Sequence, residues 1–225
     1  MPRIARALSD NCYCHIINRG NGRQQVFHKD GDYQAFLDLI QAAREHYPVR
    51  IYAWCLMPNH FHLLVQPDVA DHLSIWMQWL MTSHVRRYHR HYGTSGHVWQ
   101  GRYKSFLVQD NDHLLTVVRY IEANPVRAGL AQTAPGWQWS SHVVRENTSD
   151  GLKPDALPVA LPAGWTEYVT VPLTDYELEK IRNSVNRQSP FGKEEWQHEV
   201  CRENGLESTI RPLGRPKGRS GYAEK

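Results

Sequence analysis

Apolar residues cluster in four short stretches of the chain, each bounded by turn-forming residues. Runs of this kind, rich in β-branched and aromatic residues, predict β-strands. The turn MPNH separates the second stretch from the third, which predicts a hairpin between them. The four predicted strands occupy residues 13–20, 49–57, 60–66 and the region 97–109.

Three longer stretches carry apolar residues at helical spacing, at residues 32–47, 73–93 and 112–125. Asp32 is placed to cap the first helix, and Pro125 is expected to end the third because proline cannot continue a helix. The resulting order is β-α-β-β-α-β-α. It predicts an α+β fold, a ferredoxin-like antiparallel sheet with helices packed on it.

The pattern changes after about residue 145, where Pro, Gly and Asp become frequent. We expect a folded domain over residues 1–145 and an irregular linker over residues 146–172. A helical, basic tail is predicted over residues 173–225. Its first helix should begin with a capping box made by Thr174 and Glu177, and its second should end at Gly205.

The 225 residues are 41% hydrophobic, which is enough for a packed core. No apolar run approaches the roughly 18 residues of a membrane span, and the N-terminal sequence lacks the apolar core of a signal peptide. We therefore expect a cytoplasmic protein with no membrane partner. The four cysteines form no paired C-x-x-C framework, so free thiols are expected.

Positive charge is concentrated in one part of the chain although the net charge is only +3. From His72 to Gln109 there is no Asp or Glu, while the same span holds five Lys or Arg residues and five histidines. The C-terminal sequence GRPKGR is also basic. A solvated helix face usually mixes both signs of charge, so this separation favours a phosphate-bearing partner such as nucleic acid.

Two histidines lie one residue apart in the predicted strand HFHLLVQ. His60 and His62 would share one face of the strand, about 6.5–7 Å apart at Cα, while Phe61 points to the opposite face and into the core. Two imidazoles on one face can hold a single cation. The alternative is two ordinary polar residues at a sheet surface.

A metal would need a further ligand, and the third helix offers one. Tyr120 and Asn124 are four residues apart and therefore share a helix face. The spacing alone leaves two alternatives open, in which Asn124 is a helix stop before Pro125 and Tyr120 is a core aromatic.

Three segments, MPNHFHLLV, WQGRYKS and RYIEANPVRAGL, together resemble the single-tyrosine HUH transposases. Within that group the chain is most similar to the REP-associated tyrosine transposases, which process repeated extragenic palindromes. HIINRG at His15–Gly20, VFHKDGDYQAFL at Val26–Leu37 and the tail sequence GLESTIRPLGRPKG add to the resemblance. It thus covers nearly the whole chain.

The resemblance implies a catalytic role for residues 1–145, with Tyr120 as the nucleophile and His60 and His62 as the metal-binding pair. Asn124 stands where relatives commonly carry a glutamine metal ligand, and Asn59 stands where many carry an acid. The implied cofactor is a divalent metal, Mg²⁺ or Mn²⁺. The implied reaction cleaves and rejoins DNA through a covalent phosphotyrosine intermediate, and a DNA 3′-hydroxyl can reverse the cleavage.

The implied partner is single-stranded or hairpin DNA of the repeated extragenic palindrome type, bound near the nucleoid by a monomer or a homodimer. Trp99 and Tyr103 are expected either to stack on an unpaired base or to pack in the core. A rival interpretation is a hairpin-DNA-binding protein or repressor that has lost catalysis, and another is a metal-dependent nuclease that uses water. The candidate DNA-binding residues are Arg86, Arg87, Arg90, Arg102, Lys104, Arg215 and Lys217.

Overall fold

A computed structural model describes residues 10–110, 112–146 and 151–211. The order of strands in the sheet is β2-β3-β1-β4, and each neighbouring pair is antiparallel. This confirms the predicted α+β, ferredoxin-like architecture. The strands are β1 (Tyr13–Arg19), β2 (Val49–Met57), β3 (His60–Pro67) and β4 (Lys104–Val108).

Helices pack on both faces of this sheet, and short 3-10 turns occur at Asn21–Arg23 and Ala134–Gly136. The helices are α1 (Asp30–His46), α2 (Ala70–Tyr92), α3 (Asp112–Glu122), α4 (Asn124–Arg127), α5 (Ser141–Arg145), α6 (Trp165–Thr170), α7 (Asp175–Arg187), α8 (Glu194–Asn204) and α9 (Glu207–Ile210). In the described part of the chain, none of these helices has the length and apolarity needed to cross a membrane.

Alternate residues of each strand enter two different cores, as the period of a β-strand requires. On one face Ile16 and Phe61 pack with Phe36 of α1 and Trp76 of α2. On the other face Leu64 and Phe106 pack with Val117 and Ile121 of α3. The sheet is therefore covered on both sides, and side chains of β3 that point away from α1 and α2 meet α3 instead of solvent.

Several predicted boundaries were wrong. α1 begins at Asp30 and not at the predicted cap Asp32, and α2 begins at Ala70 and not at Leu73. The third helix ends at Glu122, and Asn124 begins a separate short helix with Pro125 in its first turn. A proline is tolerated there because the first backbone N–H groups of a helix have no intrahelical acceptor. The fourth strand begins only at Lys104, because Trp99 forms an isolated bridge with Gly20 and the chain then turns at Gly101, where φ is 87°.

Residues of the described segment 151–211 pack against the sheet and α3. Trp54 Nε1 donates a hydrogen bond to the carbonyl of Leu152, and Trp165 and Val169 are buried against α3. The capping box of Thr174 and Glu177 forms as predicted and begins α7. The domain boundaries at residues 146 and 172 stay a prediction.

Candidate active site

The two histidines of β3 and the tyrosine of α3 meet in the interior on the α3 face of the sheet. The ring centroids of His60 and His62 are 5.1 Å apart, and those of His62 and Tyr120 are 5.7 Å apart. His62 and Tyr120 are 1% and 4% exposed, whereas His60 is half-buried at the edge of the site. The structure therefore brings together the three residues on which the catalytic prediction depends.

Packing on both sides of the sheet fixes these side chains. Phe61 is fully buried in the core with α1 and α2, so its two neighbours must point to the opposite face. Val117 and Ile121 anchor α3 over β2 and β3 in the second core. Tyr120 lies on the same helix and is held over the histidine pair.

A third histidine, His15 of β1, belongs to the same cluster. Its Nε2 atom lies 3.0 Å from Nδ1 of His62, and the two rings stack with centroids 5.1 Å apart. The sequence interpretation did not single out His15 as a site residue. The sequence shows only a histidine inside an apolar strand. The contact with His62 depends on the register of β1 and β3, which places Ile17 opposite His62 and is a tertiary property.

All three histidines are held in the neutral form. Burial lowers the pKa of His15 to about 3 and, with the charges of Arg19 and Arg127, that of His60 to about 4. Burial also lowers the pKa of His62 well below its ordinary value, and the neighbouring histidines add to that shift. A neutral imidazole carries a lone pair on one ring nitrogen, which is the form that binds metal ions.

In both histidines of the pair, Nδ1 takes part in a hydrogen bond among the described residues and Nε2 does not. His60 Nδ1 lies 2.7 Å from Oδ1 of Asn59, and His62 Nδ1 is bonded to His15. If both Nδ1 atoms donate, both Nε2 atoms retain their lone pairs. Metal-binding histidines commonly have this arrangement, with one nitrogen orienting the ring and the other ligating. The pair therefore fits a divalent metal.

The third predicted ligand, Asn124, is buried next to Tyr120, but its amide has other partners. Its Oδ1 accepts a hydrogen bond from Nη2 of Arg127, and its Nδ2 donates to the carbonyl of Ile121 at 3.4 Å. Across the described residues no group of three or more His, Cys, Asp or Glu side chains is arranged to hold a metal ion. Ligation by Asn124 stays a prediction.

Arg127 is a further residue of the site that the sequence interpretation missed. Its guanidinium carbon lies 4.5 Å from the ring centroid of Tyr120, in cation–π geometry. Arg127 lies in the NPVRAGL segment, but no local sequence pattern predicts its contact with Tyr120. Arg127 belongs to α4 together with Asn124, so its contact with Tyr120 joins α4 to α3.

A buried carboxylate on α3 lies two residues beyond Tyr120. Glu122 is fully buried, and its oxygens accept hydrogen bonds from Ser141 at 2.7 Å, Trp165 at 2.8 Å and Arg145 at 3.2 Å, with His142 Nδ1 at 3.1 Å. Burial alone would raise its pKa, but these partners outweigh burial and hold the pKa below its ordinary value. The sequence interpretation also missed this cluster, which ties α3 to α5 and α6.

The predicted DNA-binding residues are distributed over several surfaces. Arg102 and Lys104 line a cavity of about 280 Å³ beside Arg19, and Arg86 lines a second, larger cavity with Arg102. Arg87 instead lies 3.6 Å from the carboxylate of Asp32. Arg90 is exposed on α2, while Arg215 and Lys217 lie outside the described residues.

The two aromatic residues proposed for base stacking are both buried. Trp99 is 5% exposed and packs edge-on against Phe61, and Tyr103 is 6% exposed. Both residues therefore pack in the core, and both also line the larger cavity.

Comparisons with known proteins agree with this geometry. Residues 8–124, just over half of the chain, match the family described as IS200-like transposases. A Haemophilus influenzae protein named provisionally as a REP-associated tyrosine transposase is 33% identical over an alignment of 108 residues that covers 43% of this chain and 61% of that protein. The REP-associated tyrosine transposase of Escherichia coli K12 is 24% identical over 140 residues, which are 61% of this chain and 79% of that protein.

A solved structure has the same fold. The structure of a REP-associated tyrosine transposase bound to a REP hairpin aligns with 72% of this chain and 100% of its own, with a TM-score of 0.54 and 19% sequence identity. The family match spans β1 to Asn124 and therefore includes both β3 histidines and Tyr120. On this evidence the chain belongs to the family of IS200-like transposases.

Proposed function

We propose that this protein cleaves and rejoins single-stranded hairpin DNA through a covalent phosphotyrosine intermediate, with a divalent metal as cofactor. The observation that carries the proposal is the position of Tyr120, whose ring lies 5.7 Å from that of His62 at the edge of a neutral histidine pair. The family assignment supports a transposase role. The relative that was solved with a REP hairpin supports a folded hairpin as the substrate.

The reaction exchanges one phosphodiester for another. The Tyr120 oxygen attacks the phosphorus of the DNA strand and loses its proton as the phosphorus–tyrosine bond forms. The bond from phosphorus to the 3′-oxygen breaks, and that oxygen takes up a proton as a free 3′-hydroxyl. Because the intermediate remains an ester, a 3′-hydroxyl can reverse the step and join strands without an added energy source.

His60 and His62 would hold Mg²⁺ or Mn²⁺, which when bound neutralises the phosphate and aligns it for attack. Arg127 lies over the Tyr120 ring, where its positive charge would attract the phosphate. Arg102 and Lys104, in the neighbouring cavity, would bind adjacent phosphates of the strand.

A second candidate is a hairpin-binding protein on the same fold that performs no cleavage. It is favoured by one observation, the bond from Arg127 to Oδ1 of Asn124, which occupies the oxygen expected to complete the metal site. Such a protein would bind hairpin DNA in the same way, and substitution of Tyr120 would change nothing measurable.

Covalent capture of DNA separates the candidates. The protein is incubated with labelled hairpins bearing single-stranded flanks and Mn²⁺, and the products are resolved on a denaturing gel. We expect a protein–DNA adduct that Tyr120→Phe abolishes, because this change removes the attacking oxygen and keeps the ring. Tyr33→Phe, at a tyrosine of α1 that is buried in the core and lies outside both the histidine cluster and the two cavities, is the matched control and should retain the adduct.

Each alternative has a distinct result. Free cleaved DNA without an adduct would identify a nuclease that uses water, and intact DNA at saturating binding would identify the silent binder. Peptide mapping of the adduct to a tyrosine other than Tyr120 would refute the assignment of the nucleophile.

A further inference from the structure

A groove of about 720 Å³ lies between α2 and the loop that precedes β4, on the sheet face opposite the candidate active site. Its volume falls within the roughly 300–1,000 Å³ that is typical of small-molecule sites. The apolar part of its lining consists of Met77, Met81 and Val85 of α2 and of Val98 and Trp99 of the loop, and α2 also contributes the polar residues Ser74, Gln78 and Thr82. Such a lining suits a flat, weakly polar group better than a strongly hydrated one.

The groove is bordered by positive charge. Arg86 of α2 and Arg102 of the loop both line it and are exposed, and none of its lining residues is acidic. The whole span from His72 to Gln109 lacks Asp and Glu, so no carboxylate within this span would repel a bound anion. An apolar wall between two arginines is complementary to a nucleotide, whose base is flat and whose flanking phosphates are anionic.

The groove adjoins the cavity beside the candidate active site, with which it shares two lining residues. Both are lined by Asn18 and Arg102. The second cavity also contains Ile17 and Arg19, which pair directly with His62 and His60 across β1 and β3. A strand could therefore pass from the histidine pair, around the end of β4, into the groove.

Two side chains that line the groove, Asn18 and Trp99, have hydrogen-bonding capacity that the described residues leave unused. Asn18 is 5% exposed. Its Oδ1 accepts a hydrogen bond from the backbone N–H of Arg19 at 2.9 Å, and its Nδ2 donates one to the carbonyl of Gly101 at 3.4 Å. An amide offers two donors and two acceptor positions, so one of each remains. Nε1 of Trp99, which also lines the groove, is buried and has no hydrogen-bond partner among the described residues.

We propose that this groove binds an unpaired base of the single-stranded DNA flank, while Arg86 and Arg102 bind its neighbouring phosphates. The inference rests on the proposed function, because it takes single-stranded DNA as the ligand. It adds a specific site for the flank on the face of the sheet away from Tyr120. The flank would then be held by a base contact as well as by charge.

A binding measurement without catalysis tests the proposal. Oligothymidylate of roughly 12 nucleotides and an abasic strand of the same length are titrated in EDTA by fluorescence anisotropy. We expect the wild-type protein to prefer the strand with bases by about tenfold, the size of one stacking contact. Met81→Ala should remove most of this preference by deleting part of the apolar wall, and should leave affinity for the abasic strand unchanged.

Leu39→Ala is the matched control, because Leu39 is also partly buried against the same core but belongs to α1 and does not line the groove. It should keep the preference for bases. If Met81→Ala is too unstable to measure, photocrosslinking of 4-thiothymidine strands to the Tyr120→Phe protein replaces it. Crosslinks are expected within residues 74–86 or 96–103, and crosslinks confined to other peptides would overturn the proposal.

The two arginines of α2 provide a second matched pair. Arg86 lines the groove, and Arg90 is exposed one helical turn later without lining it. Arg86→Ala should weaken binding of oligothymidylate. It should also reduce the slope of log affinity against log salt concentration by about 0.7, the value for one phosphate contact on a single strand. Equal effects of Arg86→Ala and Arg90→Ala would reduce the groove to a general basic surface and overturn the proposal.

Failure of this proposal is distinguishable from failure of the proposed function. Base-dependent binding in the groove without any covalent adduct would leave the site in place and refute the phosphotyrosine mechanism. An adduct at Tyr120 without base-dependent binding would do the reverse.

Discussion

Two buried polar clusters lie side by side on α3, and they differ in how completely their atoms are bonded. The histidine cluster consists of Tyr120 with His15, His60 and His62. The Glu122 cluster consists of Glu122 with Ser141, His142, Arg145 and Trp165. Both are enclosed by apolar residues of the same core. Both carboxylate oxygens of Glu122 are satisfied, whereas each β3 histidine keeps one ring nitrogen without a hydrogen bond among the described residues.

We infer from this difference that the Glu122 cluster is structural and that the histidine cluster is functional. A buried carboxylate is stable only when its charge is fully compensated, and Glu122 holds α3, α5 and α6 together by that compensation. Nitrogens that keep a lone pair without a hydrogen-bond partner contribute little to stability but can bind a metal. We therefore expect substitutions in the histidine cluster to remove activity, and substitutions in the Glu122 cluster to remove stability.

The largest effect is expected from the β3 histidines. His60→Ala and His62→Ala should lower adduct formation to the level of Tyr120→Phe, because the phosphate is no longer neutralised or aligned. Affinity for hairpin DNA should stay within a few-fold, since the basic surfaces lie elsewhere. Adduct assays with Mn²⁺ and Mg²⁺ test this expectation. Normal cleavage by either variant would contradict the metal assignment and the functional role of the histidine cluster.

Glu122→Ala should lower the free energy of unfolding by about 3–5 kcal/mol, the range for removing one partner of a buried charge pair. Urea unfolding curves of this variant and of His62→Ala measure the contrast directly. The comparison requires the Glu122 variant to be the less stable of the two. The opposite order would show that the histidine cluster is the structural one.

The pH dependence of stability sharpens the same test. Because the pKa of Glu122 is lower in the folded protein, its ionised form stabilises the fold at neutral pH. That contribution is lost as the pH falls below the ordinary carboxyl range and through the lowered pKa. Unfolding free energies at pH 7 and pH 4 should differ less in Glu122→Gln than in the wild-type protein. An unchanged difference would assign the acid sensitivity to other groups.

The smallest effect is expected at His15, which would act through His62. His15→Leu removes the partner of His62 Nδ1 and should weaken Mn²⁺ binding by about 10–100-fold, as loss of such orienting contacts does. His15→Gln supplies an acceptor oxygen and should recover part of that affinity. Calorimetric titration of Mn²⁺ without DNA is the measurement. Equal affinities of the leucine and glutamine variants would assign His15 to packing alone.

Much of the fold could be predicted because it depends on local patterns. β2 was predicted with its observed bounds, and α7 begins at the capping box that its sequence contains. The prediction failed at Pro125, because a proline signals the end of one helix and the first turn of the next equally well. Local rules do not distinguish these two outcomes, which depend on how the preceding helix packs.

The sequence by itself determined which residues could do chemistry. The spacing of His60 and His62 places both on one strand face, and the order of motifs around Tyr120 identified the family before any geometry was known. The acid-free span from His72 to Gln109 likewise indicated a phosphate-bearing partner.

Only the tertiary structure decided how those residues are joined. The pairing of β1 with β3 brings His15 to His62, α4 places Arg127 against Tyr120 of α3, and the docking of α5 and α6 closes the Glu122 cluster. Each of these contacts links two elements through strand register or helix packing. Those properties arise from burial summed over the whole molecule, and a local sequence pattern does not encode them.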